Sequence, residues 1–175
     1  MGGDINIALA YGALGASSGW ALMHCTDLKY ARVAFGLYLA NGIVGVVDYM
    51  TSMSKVKNLL AAIVRWSLPL YLPLIAAEAI LLAGLDEIYA YCHLVMPLTY
   101  LLLKELLKKH VKTEFLDCTV IVSAISLCYS TFISEDMFGG FCALINMVAY
   151  FGARHNSMEY LVLIGIAHII AVEFF

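Results

Sequence analysis

The chain has 175 residues, 63% of them hydrophobic and 13% charged, with a mean hydropathy of +0.88. Soluble domains average about half apolar and about a quarter charged, so this composition excludes a water-soluble domain and points to an integral membrane protein. A net charge of −3 argues against a nucleic-acid footprint, so nucleic acid is not expected as a partner.

A helix crossing the hydrocarbon core needs about 20 apolar residues. Read in chain order, the apolar stretches predict seven helices at 5–24, 28–50, 58–84, 87–107, 115–134, 137–153 and 158–175. The fold class is therefore an all-α bundle of about seven transmembrane helices, one domain over 1–175. Helix 1 carries Ala8, Gly12 and Ala16 four apart, and Gly15 and Gly19 likewise. Small residues at that spacing let backbones approach closely in lipid. The face suits an intrachain contact first and a membrane-protein partner second. Helix 2 places Tyr38, Asn41, Gly45 and Asp48 on one face. Helix 3 is long, holds Pro69 and Pro73, which predict a kink, and offers Arg65, Ser67, Tyr71 and Glu78. Helix 4 offers Tyr89, His93, Pro97 and Tyr100; helix 6 offers Cys142, Asn146 and Tyr150; helix 7 offers His168.

Cationic residues predict the orientation. Lys55, Lys57, Arg65, Lys104, Lys108, Lys109, Lys112 and Arg154 fall on one side of the predicted bundle; Lys29 and Arg32 fall on the other, with the acidic pairs Asp86-Glu87 and Glu135-Asp136. The basic loops belong in the cytoplasm, which makes the N-terminus cytoplasmic.

Ionisable and amide side chains at bilayer depth are costly and mark functional candidates. Asn41, Asn146 and His168 lie near the midplane of the predicted helices, Glu78 and His93 toward the exterior, and Asp48 and Arg65 toward the cytoplasm. The expectation is a mid-membrane polar cavity lined by Asn41, Asp48, Tyr71, Glu78, His93, Asn146 and His168. Glu78 and His93 would form its outer gate, and Asp48 paired with Arg65 its inner gate. The structural alternative is that Asn41 and Asn146 bond neighbouring helices, at roughly 0.6 kcal/mol each, while Arg65 snorkels to the interface.

No GxSxG, HExxH or P-loop pattern occurs. Cys25, Cys92, Cys118, Cys128 and Cys142 stand singly, without a CxxC pair, and read as reduced structural thiols. No metal or cofactor is expected. The N-terminus lacks a positive region before its apolar run, so a cleaved leader is not expected. Gly2 fails the myristoylation pattern because position 6 is Asn6.

Several features in order resemble the transmembrane protein 187 family, a poorly characterised group. They are Pro69 in helix 3, Leu85-Asp86 ahead of helix 4 with Pro97 and Tyr100 beyond, Leu116-Asp117-Cys118 entering helix 5, and Arg154-His155 after helix 6. They cover roughly the last two-thirds of the chain, and the resemblance implies a multi-pass fold. A second resemblance is to lysoplasmalogenase-like membrane hydrolases, which cleave a lysolipid vinyl ether. It is carried by Val47-Asp48, by Leu68-Pro69-Leu70-Tyr71 where that family has His-x-x-Tyr, and by Ile145-Asn146 where it has Ser-Asp. Asp48 and Tyr71 match, while the histidine and the second aspartate are replaced.

Three functions follow as expectations. The first is a non-enzymatic membrane protein that binds or transports a small or lipid-like molecule in the polar cavity. The second is a membrane lipid hydrolase with Asp48 and His168 as acid/base pair and Tyr71 orienting the headgroup. The third is an accessory or scaffold subunit.

Overall fold

The structure is a computed structural model that describes residues 5–51 and 53–175. The readings made on Gly2 and the first residues of the N-terminus lie outside the described residues. Seven helices account for nearly all of the chain: α1 (Ile5–His24), α2 (Lys29–Thr51), α3 (Ser54–Leu82), α4 (Glu87–Leu101), α5 (Thr113–Ser134), α6 (Phe138–Gly152) and α7 (Met158–Phe174). The predicted fourth helix ends earlier than expected. After Leu101 it widens into a π-helical turn, Leu102–Leu106, five residues past Pro97. A proline withholds the amide that would bond four residues back, so the carbonyl of His93 loses its helical donor.

Short polar devices stop and start the helices. Asp86 caps α4 by accepting from Ile88 N at 2.9 Å. Asp136 accepts from Phe138 N at 2.8 Å ahead of α6, and Ser157 accepts from Tyr160 N at 3.3 Å to open α7. Gly84, at φ 72°, supplies the left-handed residue that ends the α3–α4 connection. α3 runs through both Pro69 and Pro73 without interruption.

Neighbouring contacts set the order around the bundle. α1 packs on α2, α2 on α3, α3 on α5, α5 on α6, α6 on α7, and α7 returns to α1. α4 lies outside this ring against α3 and α5. α3 is the most enclosed helix, buried almost continuously from Pro69 to Ile80. Where α1 meets α2, a Cβ added at Gly42 would stand 2.6 Å from the Gly15 Cα and 2.8 Å from the Tyr11 carbonyl oxygen, and one at Gly45 would overlap the Tyr11 ring. Gly15 of the small-residue face is therefore used within the chain, whereas Gly12 faces open space.

The outside of the bundle is apolar as well. Phe132 is 82% exposed, Met50 and Met137 each 77%, and large aliphatic side chains are exposed along every helix. Soluble monomers rarely present contiguous apolar patches beyond a few hundred Å², so this surface fits a hydrocarbon solvent. Three helices, α2, α3 and α5, are long and apolar enough to cross a membrane. α4, α6 and α7 have 15, 15 and 17 residues, or roughly 22–26 Å at the α-helical rise.

Candidate functional site

His168 occupies the centre of the bundle, fully buried on α7. Its Nδ1 lies 3.0 Å from Ser18 Oγ on α1. Ser18 has one proton, and it is spent on the Leu14 carbonyl at 2.6 Å. A hydroxyl that donates there must accept from the ring, which places the imidazole proton on Nδ1. Nε2 is then a bare acceptor, and among the described residues it has no hydrogen-bond partner. Three aromatic rings meet the imidazole edge to face: Phe35 and Tyr38 at 5.3 Å and Tyr71 at 5.1 Å between centroids.

Beside this histidine is a second polar group. Tyr38 Oη and Tyr160 Oη share a hydrogen bond of 2.8 Å. With Tyr71, Asn146 and Tyr150 they line a void of about 20 Å³, room for one water molecule. The Tyr71 hydroxyl and Asn41 Oδ1 are buried without partners among the described residues. Asn146 turns its amide onto its own helix and donates to the Cys142 carbonyl at 2.8 Å.

The other expected residues lie elsewhere. Glu78 is spent on α2: its Oε2 accepts from the amides of Tyr30 and Ala31. Those are first-turn donors without helical partners, so the buried carboxylate caps a neighbouring helix. Arg65 is an exposed side chain whose Nη1 lies 3.6 Å from Glu105 Oε2 in the π-helical turn. Asp48 lies ten residues beyond Tyr38, about 15 Å along α2. His168 rests against Tyr38, so about ten residues of α2 separate its contact on that helix from Asp48.

His93 belongs to a separate crevice between α4 and α5, floored by Ile80 of α3. Tyr89, Cys92, Ser126 and Tyr129 line it with His93, around a volume of about 330 Å³. Ser123 Oγ lies 3.5 Å from His93 Nδ1. Among the described residues, no group of three or more His, Cys, Asp or Glu could hold a metal ion.

Ser18 and Tyr160 were not singled out from the sequence. Tyr160 had a signal: Tyr160, Ile164 and His168 fall four apart and share a face. Ser18 had none, because Ser17 adjoins it and only the fold selects between them. Asp117, noted in the family resemblance, accepts from Tyr150 Oη at 2.9 Å and joins α5 to α6.

The chain matches no family model, and neither a curated protein nor a solved structure is similar to it at a significant level.

Proposed function

We propose that this chain is a multi-pass integral membrane protein, all seven helices crossing the bilayer with the N-terminus cytoplasmic, that binds a small or lipid-like molecule in the α4–α5 crevice. The observation that carries the reading is the size and lining of that crevice. Its volume of about 330 Å³ falls within the range of ligand pockets, about 300–1,000 Å³. The mid-bundle void holds about 20 Å³ and has no room for more than water. The lining is apolar on the Ile80 and Leu85 side and carries imidazole, hydroxyl and thiol groups opposite. An occupant with an apolar body and one polar group suits it.

The ligand route is preferred to the hydrolase route, because Asp48 lies ten residues of α2 beyond Tyr38, which His168 rests against, whereas general acid–base chemistry needs hydrogen-bond reach. Native mass spectrometry of the full-length protein in mild detergent tests the reading. The wild type should retain one more lipid-sized adduct per chain than Ser126→Trp, which fills the crevice and should keep the wild-type thermal midpoint. Equal retention by both proteins would rule the crevice out.

A further inference from the structure

A second concavity lies at the opposite end of the α4–α5 pair. Tyr100, Lys104, Lys108, Lys109, Lys112 and Glu114 are among the residues that enclose a volume of about 700 Å³. The chain is folded into this shape by its own backbone: Leu107 N donates to the Leu102 carbonyl at 3.0 Å and Lys109 N to the Leu103 carbonyl at 2.9 Å. Lys108 adopts a left-handed conformation at φ 50°, which turns the following lysines back toward Lys104. Lys104 Nζ is held 2.8 Å from Tyr100 Oη.

Charge is poorly compensated here. Glu105 faces Arg65, and Glu114 is the one carboxylate of the lining. No side chain caps the first turn of α5, so its amides add positive potential to the same place. Beside the lysines, Leu102, Leu106 and Leu107 stand 51%, 74% and 52% exposed. Exposed leucines next to a lysine cluster are the pattern of a segment seated at a membrane interface, apolar side chains in the acyl region and ammonium groups at headgroup level.

We infer that this concavity seats the phosphate headgroup of an anionic phospholipid from the surrounding leaflet. The leucines distinguish a lipid from a free phosphate ion, since an ion in water would gain nothing from them. The site is independent of the α4–α5 crevice and of its occupant.

The test uses the full-length protein in phosphatidylcholine vesicles with spin-labelled phosphatidic acid or spin-labelled phosphatidylcholine as probe. The motionally restricted fraction of each probe reports its association with the protein. Phosphatidic acid should be favoured by about fivefold or more, the contribution of a single lysine near an anionic surface. Lys108→Gln/Lys109→Gln/Lys112→Gln should reduce the ratio to near one. Lys55→Gln/Lys57→Gln, which removes charge from the same side outside the concavity, should leave it unchanged. Equal association of the two probes, or equal loss in both variants, would overturn the inference. So would displacement of spin-labelled phosphatidic acid by inorganic phosphate, which would identify the occupant as a free anion.

Discussion

A buried imidazole between Ser18 and three aromatic rings is asymmetric. One nitrogen is satisfied through a relay that ends on the Leu14 carbonyl, and the other is not. Removing the satisfied side leaves a buried donor without an acceptor, which costs about 1–3 kcal/mol. Ser18→Ala should therefore lower the thermal midpoint in detergent, and Tyr71→Phe, which deletes a hydroxyl that has no partner, should leave it level or raise it. The opposite order would show that the proton assignment on His168 is wrong, or that water bridges Tyr71 in the void beside it. Glu78 shows the same economy of partners, because its carboxylate answers amides that α2 cannot satisfy alone.

Among the elements, α1 and α2 approach backbone to backbone. Gly42 sits against Gly15 with no space for a methyl group. Gly42→Ala must push the two backbones apart, and overpacking of this kind costs about 1–3 kcal/mol. Gly12→Ala should cost little, because nothing lies near its missing Cβ. Thermal midpoints of the two variants separate the positions; equal values would mean that α1 and α2 do not meet at Gly15 and Gly42. The spacing of small residues on helix 1 was legible in the sequence, and so was its use in close packing. Which glycine meets a partner was not, because both rows of small residues satisfy the same periodicity.

The whole bundle makes a prediction about topology. Three helices are long and apolar enough to cross a membrane, and seven crossings are proposed. The two cases differ at Lys57 and Asp136. Seven crossings put α3, α4 and α5 between these positions and leave them on opposite sides; crossings by α2, α3 and α5 alone leave them on the same side. In a cysteine-free background, Lys57→Cys should be shielded from an impermeant maleimide in intact cells and Asp136→Cys labelled. Labelling of both from outside would refute the seven-crossing orientation.

The amino-acid sequence by itself determined the helices. Because hydropathy is local, seven apolar runs place the helix ends within a few residues of those observed, except at α4, which ends six residues before the predicted position. It also marked the costly polar groups, since any amide or imidazole inside such a run is conspicuous. Tertiary structure alone decided what those groups touch. Ser18 and His168 lie 150 residues apart, Glu78 and Tyr30 lie 48 apart, and Arg65 finds Glu105 rather than Asp48. Depth along a helix can be read from position, but the facing helix at that depth depends on the order of packing around the bundle. That order arises from long-range contacts for which a periodic apolar sequence carries no local signal, and it set His168 in the packed core, Glu78 at the cap of α2 and His93 in a crevice at the α4–α5 edge.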